Sequence, residues 1–184
     1  MKIPLRYQMT ENDSGKTTIL NAVSYIFDRE NVESSLIKNI YKHTINENNI
    51  LFRQETICDF AKKLLDKNKY DLELYKYDKE EVNIKTIKNM MKNDNTIMLI
   101  RVYLFGKSHY CLATSIDKNY IYLFDPYYLD ETYFDIERMV ELVTTEPFEY
   151  NRKINIKRFN SMTLSDYSLG PVDHRECLII KKNS

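Results

Sequence analysis

The chain has 184 residues, and 27 Lys and Arg residues balance 27 Asp and Glu residues, so the formal net charge is zero. This length predicts a single domain over residues 1–184. A hydrophobic fraction of 43% excludes a wholly disordered chain. Neutral charge gives no argument for nucleic acid as a partner, and no apolar run approaches the roughly 20 residues that span a bilayer. We therefore expect neither nucleic acid nor a membrane as a partner.

The cysteines point to a reducing environment. Cys58, Cys111 and Cys177 are odd in number and widely spaced, which fits neither a disulfide framework nor a CxxC metal site. The first residues show no apolar stretch behind their positive charge, so no secretory signal is predicted. These observations predict a cytoplasmic protein without a bound metal ion or other cofactor.

The first half of the chain is predicted to be mainly helical. A short extended segment, Lys2–Tyr7, and a polar turn, Thr10–Gly15, come first. Apolar residues then recur at helical spacing. Helices are predicted from about Ser14 onward, over Val32–His43, over Gln54–Leu65 and over Val82–Met91, with a weak strand at Leu72–Tyr75.

The second half is predicted to form a sheet. Runs rich in β-branched and aromatic residues cover Thr96–Phe105, His109–Ile116 and Tyr120–Asp125. Turn residues separate these runs, which predicts an antiparallel meander. The remaining predicted elements are a helix near Ile136–Val143, a half-buried strand at Lys153–Phe159, and a strand at Glu176–Lys181 that closes the sheet. Helices followed by strands predict an α+β fold.

The run Ser14-Gly15-Lys16-Thr17 looks like the end of a phosphate-binding P-loop. That loop needs another glycine five residues before Gly15, so that backbone N–H groups can surround the phosphates. Thr10 occupies this position, and the rest of the chain lacks a parallel α/β pattern. We therefore interpret the similarity as coincidental.

A second pattern covers more of the chain. Gln8 is followed, after four residues, by Asp13-Ser14-Gly15 at the start of an amphipathic helix. Later, a strand opens with His109, and a second strand ends in Asp125-Pro126, 16 residues further on. This pattern resembles papain-clan cysteine peptidases, above all the bacteriocin-leader-processing (double-glycine) peptidases and their stand-alone relatives. The resemblance spans roughly residues 3–128, and Ser14 stands where that family has cysteine.

The resemblance implies a papain-like fold, in which a helical half carrying residue 14 packs on an antiparallel sheet carrying His109 and Asp125. It also implies acyl transfer through a thioester. A thiol at a helix N-terminus would favour the thiolate, and His109 would take or share its proton. Asp125 would orient the imidazole, and Gln8 with the backbone N–H of residue 14 would stabilise the oxyanion.

The serine at position 14 is expected to leave such a site nearly inactive, because a hydroxyl has a much higher pKa than a thiol. Ser14 is either a replacement of a native cysteine or the natural residue of a protein that binds without catalysing. The intact Gln8, His109 and Asp125 favour the first explanation.

The resemblance leaves the reaction open. It implies hydrolysis of a peptide or amide bond, for instance in a leader peptide. Stand-alone relatives in biosynthetic clusters instead transfer acyl groups from carrier-protein thioesters to amines and so form amides. The expected partner is therefore a peptide or an acyl thioester, in the latter case with its carrier protein. A catalytically silent binding protein is the third interpretation.

Two further features have competing interpretations. Cys111 lies on the same strand face as His109, and we interpret it as a small buried apolar residue rather than a nucleophile. The segment Leu169–Glu176 is either a turn that leads into the last strand or a lid that contacts substrate.

Overall fold

Seven strands form one antiparallel sheet in the computed structural model, which describes residues 3–45, 56–67, 70–93, 95–136 and 138–183. The strands are β1 (Leu72–Asp78), β2 (Thr96–Leu104), β3 (Lys107–Ile116), β4 (Tyr120–Phe124), β5 (Val140–Leu142), β6 (Arg152–Asn155) and β7 (Glu176–Lys182). Their order across the sheet is β1-β7-β2-β3-β4-β6-β5. The predicted meander is thus confirmed as β2-β3-β4.

Six α-helices accompany this sheet within the described residues. They are α1 (Ser14–Ile26), α2 (Ser34–Ile45), α3 (Ile57–Lys67), α4 (Ile84–Met90), α5 (Glu131–Ile136) and α6 (Ile156–Phe159). Helices and an antiparallel sheet together confirm the α+β class. No described helix is long and apolar enough to cross a bilayer.

The sheet separates two hydrophobic cores. Along β2, Ile97 and Leu99 face a core shared with α1, α2 and α3, whereas Met98 and Ile100 face a second core on the other side. Successive side chains of a strand point to opposite faces, so a strand covered on both faces reads as a continuous apolar run. This explains why β2 carries so few polar residues.

The N-terminus of α1 is held against β3. Strand β4 ends at Phe124, opposite Leu112, so the ladder between β3 and β4 stops before it reaches Tyr110. The backbone of Tyr110 instead forms hydrogen bonds with α1. Thr18 donates its hydroxyl hydrogen to the Tyr110 carbonyl at 2.9 Å. Residue 14 therefore lies beside the strand that carries His109.

Some predicted elements differ from the structure. The helix near Ile136–Val143 is wrong: α5 ends at Ile136, and β5 follows because Val140, Glu141 and Leu142 pair with β6. The strand over Lys153–Phe159 stops at Asn155, whose side chain accepts from the Lys157 N–H at 2.9 Å and begins α6.

The two ends of the chain also differ from the prediction. Strand β7 does not close the sheet at an edge, because it pairs with both β1 and β2. Residues 3–7 belong to no strand, and the Leu5 N–H donates to the Pro147 carbonyl at 3.1 Å. Gln54, the predicted start of the third helix, lies outside the described residues.

Candidate functional site

A cavity of about 330 Å³ lies between the N-terminus of α1 and the hairpin that joins β2 to β3. Ser14 and His109 both line it, and both are largely buried. Lys16 and Lys107 contribute polar walls, and the Phe105 and Tyr127 rings contribute an apolar one. This is the size of a small ligand pocket, at the lower end of the usual range.

His109, which lines this cavity, forms a buried pair with Asp125 behind it. His109 Nε2 lies 2.6 Å from Asp125 Oδ1, with His109 5% exposed and Asp125 fully buried. A carboxylate can only accept this hydrogen bond, so Nε2 carries the hydrogen of the neutral ring. Nδ1 is then the ring nitrogen that remains for proton transfer.

Three further groups hold the Asp125 carboxylate. The Tyr127 N–H donates to Oδ1 at 2.7 Å, and the Tyr167 hydroxyl donates to Oδ2 at 2.6 Å. Arg152 Nε lies 3.9 Å from Oδ2. Burial alone would raise the pKa of Asp125, but the His109 ring, the Arg152 charge and the Tyr167 hydroxyl outweigh burial and hold this pKa below its ordinary value.

The backbone of Asp125 is fixed as well. The Asn151 side chain accepts from the Asp125 N–H at 2.7 Å and donates to the Asp125 carbonyl at 2.8 Å. Asn151 is itself 3% exposed. These two bonds replace ladder bonds just beyond the end of β4, so the carboxylate projects from a rigid position.

Ser14 is the first residue of α1, and its side chain is 8% exposed in total. Its Oγ accepts a long hydrogen bond, 3.4 Å, from the N–H of Tyr110, the residue after His109. Within the described residues, no hydrogen bond joins Ser14 Oγ to the His109 ring. The structure thus brings the two residues to one cavity without a hydrogen bond between their side chains.

The N-terminus of α1 is open to an anion. Asp13, at the N-cap position, makes no side-chain capping bond to the helix. Its carboxylate instead accepts from the Thr10 hydroxyl at 2.6 Å and from Lys16 Nζ at 2.9 Å, and the first of these bonds contributes most to lowering its pKa. Within the described residues, the backbone N–H groups of Ser14 and Gly15 make no backbone hydrogen bond and can face an anion beside residue 14.

Gln8 lies near this helix start but does not line the cavity. Its Nε2 donates to the carbonyls of Thr10 at 2.8 Å and Glu11 at 3.2 Å, and its backbone N–H donates to the Pro126 carbonyl at 2.7 Å. Its Oε1 is buried without a hydrogen-bond partner among the described residues. In this conformation Gln8 shapes the loop before α1, and its role in an oxyanion hole stays a prediction.

Cys111 is buried next to the pair, and burial together with the Asp125 charge raises the pKa of its thiol. Ligand atoms of His109, Cys111 and Asp125 lie within 4.8 Å of one another, a set that could hold a metal ion. Such an ion would require a thiolate and would displace the 2.6 Å hydrogen bond. The geometry therefore favours the hydrogen-bonded pair, and the absence of a metal stays a prediction.

Sequence reasoning missed three residues of the site, namely Asn151, Arg152 and Tyr167. None belongs to a local motif, since each meets Asp125 only through tertiary packing. The sequence signal that was available lay in the Leu169–Glu176 segment, which begins two residues after Tyr167. Leu169 is buried and residues 172–174 form a turn before β7, which is the arrangement expected of a turn rather than an exposed lid.

Comparison with known proteins adds no relative. No family model matches this chain, and no curated protein or solved structure matches it either. The functional argument accordingly depends on the geometry of the site and on the sequence pattern.

Proposed function

We propose that this chain carries the site of a papain-like acyl-transfer enzyme that hydrolyses a peptide or amide bond when residue 14 is cysteine. Residue 14 is the nucleophile position, His109 is the acid and base, and Asp125 orients the His109 ring. The observation that supports this most is the buried 2.6 Å bond to Asp125 Oδ1 from Nε2 of His109, a residue that lines the same cavity as Ser14, the first residue of α1.

The chemistry of the cysteine form follows from these positions. The thiolate attacks the carbonyl carbon of the scissile bond, and His109 gives a proton from Nδ1 to the departing amine. Water then attacks the thioester and gives one proton to His109, the C–S bond breaks, and the acid is released while residue 14 returns to the thiolate. The open N–H groups at the start of α1 would stabilise the oxyanion in both steps. Gln8 would add a donor only if its amide turned away from the Thr10 and Glu11 carbonyls.

The serine form is proposed to bind substrate without turning it over. A hydroxyl must lose its proton as it attacks, so it needs a base in direct contact. The absence of a hydrogen bond between Ser14 Oγ and the His109 ring among the described residues supports this reading. We accordingly expect no labelling of Ser14 by a fluorophosphonate reagent, as judged by intact-protein mass spectrometry.

The test is thiol alkylation of the Ser14→Cys variant. The native cysteines Cys58, Cys111 and Cys177 are all buried, so the parent protein supplies a low background. With iodoacetamide at pH 6, we expect this variant to react at least roughly tenfold faster than an unactivated thiol, because the helix N-terminus and His109 favour the thiolate. Mass spectrometry of the intact chain and of its peptides gives the rate and the position.

The matched control is Asn12→Cys, which places a thiol on an exposed loop residue that lines the same cavity. The double variant Ser14→Cys, His109→Ala should lose the rate advantage. Equal rates for Ser14→Cys and Asn12→Cys would refute the proposed site.

Products then identify the reaction. The Ser14→Cys variant is incubated with a peptide library and, separately, with a carrier-bound acyl thioester plus an amine. Cleaved peptide supports hydrolysis. Amide formation from the thioester, without peptide cleavage, would replace the proposed hydrolase with an acyltransferase.

A further inference from the structure

We propose that Tyr167 and Arg152 are positioning residues for the His109–Asp125 pair, which hold the Asp125 carboxylate and offset its charge so that the site accepts an anion at residue 14. This inference rests on the proposed function, because it concerns how the same site is tuned. It is carried by the contacts on the side of Asp125 that faces away from His109.

The two oxygens of Asp125 have separate partners. Oδ1 accepts from His109 Nε2 and from the Tyr127 N–H, whereas Oδ2 accepts from the Tyr167 hydroxyl at 2.6 Å. A carboxylate held on both oxygens cannot rotate away from the imidazole. Tyr167 thereby fixes the direction in which the ring donates, and so leaves Nδ1 for the reaction.

Arg152 supplies the opposite charge. Its Nε donates to the Tyr167 hydroxyl oxygen at 3.1 Å and lies 3.9 Å from Asp125 Oδ2. Its other nitrogens donate to the carbonyls of Tyr127 and Asn151, each at 3.0 Å. Arg152 is fully buried. A buried guanidinium with all these partners is held in place, and it faces the one buried carboxylate beside it.

Within the described residues, titratable groups from three parts of the chain surround Asp125. The titratable groups that face it are His109 and Cys111 from β3, Arg152 from β6 and Tyr167 from the segment before β7. Asp125 and Arg152 carry opposite charges and offset each other at the position of His109. When the imidazole takes up a proton, the local charge is therefore positive, which favours an anion at residue 14.

The backbone of Tyr167 has a conformation that is energetically unfavourable for a residue other than glycine. Its φ is +59°, in the left-handed region that non-glycine residues seldom adopt. Its N–H donates to the Tyr103 carbonyl at 2.7 Å and its side chain is fully buried. The backbone and the hydroxyl are thus both fixed, and the hydroxyl is aimed at Asp125.

The experiment uses Tyr167→Phe, which keeps the ring and removes only the hydroxyl. In the Ser14→Cys background, the rate of alkylation is measured against pH. Without the hydroxyl, the negative charge of Asp125 is offset less and disfavours the thiolate at residue 14. The acid limb of the pH–rate curve for alkylation should therefore have its midpoint at a pH higher by about half to one unit. A residue that served packing alone would lower stability and leave this midpoint unchanged.

The matched control is Tyr75→Phe, because the Tyr75 hydroxyl also donates to a carboxylate, that of Glu73, on β1, which β7 and β2 separate from β3. Its acid limb should stay at the midpoint of the Ser14→Cys protein. If the midpoint of the acid limb shifts equally in both variants, or in neither, the inference is overturned.

A second measurement does not depend on residue 14. In the Ser14 protein, the Nε2–H proton of His109 should give a slowly exchanging NMR signal, and Tyr167→Phe should speed its exchange several-fold. Unchanged exchange in Tyr167→Phe refutes the positioning role even if Ser14→Cys is reactive. Faster exchange together with an unreactive Ser14→Cys refutes the proposed function and leaves the positioning role standing.

Discussion

Thr18 donates its hydroxyl hydrogen to the carbonyl of Tyr110 at 2.9 Å, and this bond joins residues that are 92 positions apart in the chain. The backbone N–H of the same residue, Tyr110, donates to Ser14 Oγ at 3.4 Å. Ser14 and Thr18 are four residues apart and therefore lie on one face of α1. The helix that carries the nucleophile position is thus docked on the backbone of the residue after His109.

Replacing Thr18 by Val should disturb this docking with little change in volume. The Tyr110 carbonyl would lose its partner in a buried setting, which costs about 1–2 kcal/mol in the free energy of unfolding. The shifted helix should also slow alkylation of the Ser14→Cys variant by about tenfold, because small errors in position weaken catalytic geometry. Urea unfolding and the alkylation assay measure the two effects.

Thr18→Ser is the control for this prediction, since it keeps the hydroxyl and removes only a methyl group. We expect it to retain most of the alkylation rate. If Val and Ser lowered the rate equally, the hydrogen bond would have no part in placing residue 14.

Two glycines should respond very differently to replacement by alanine. Gly106 and Gly170 both have positive φ, +71° and +69°. A Cβ at Gly106 would meet nothing within 4 Å, whereas a Cβ at Gly170 would overlap the Tyr103 ring. Gly106→Ala should therefore lower the free energy of unfolding by about 1 kcal/mol, through its backbone conformation alone.

Gly170→Ala should lower the free energy of unfolding by more than about 3 kcal/mol, because the unfavourable backbone conformation adds to a clash with the buried Tyr103 ring. Thermal unfolding monitored by circular dichroism compares the two variants directly. Similar melting temperatures would mean that the Tyr103 ring can move aside, and that the close approach at Gly170 is not required.

The depressed pKa of Asp125 predicts a pH-dependent contribution to stability. Because the folded-state pKa lies below the unfolded value of about 3.9, the contribution is complete above that value and is lost as pH falls through the folded-state pKa. Asp125→Asn should therefore destabilise the protein most at pH 7, and progressively less below about pH 4. Urea unfolding across this range tests the sign, and a difference that grows on acidification would contradict it.

The elements that the sequence predicted best are those with strong local patterns. The meander of β2, β3 and β4 carries long β-branched runs interrupted by turn residues, and its hairpin turn uses Phe105 and Gly106, both at positive φ. The helix expected over 136–143 is wrong because Val140–Leu142 are too few to show a period, and β5 forms only through its partner β6. Pairing with β6 therefore determines the structure of residues 140–142, which the local pattern does not predict.

The same division applies to the candidate site. The resemblance to papain-clan peptidases, together with the hairpin expected between His109 and Asp125, predicted that these two residues come together; His109 lies on β3 and Asp125 directly follows β4. Tyr167 and Arg152 could not be found in this way. Their relation to Asp125 depends on the pairing of β6 with β4 and on how the segment before β7 packs on the sheet, and hydrophobic periodicity does not predict such tertiary contacts.

The central position of β7 has a consequence for how the chain folds. Residues 72–78 pair only with residues 176–182, so β1 has no neighbour until the final strand is inserted between it and β2. Until β7 pairs with β2, the edge of β2 that faces away from β3 has backbone N–H and C=O groups without ladder partners. Completion of the sheet therefore depends on pairing between strands that are far apart in the chain, and such non-local pairing slows folding.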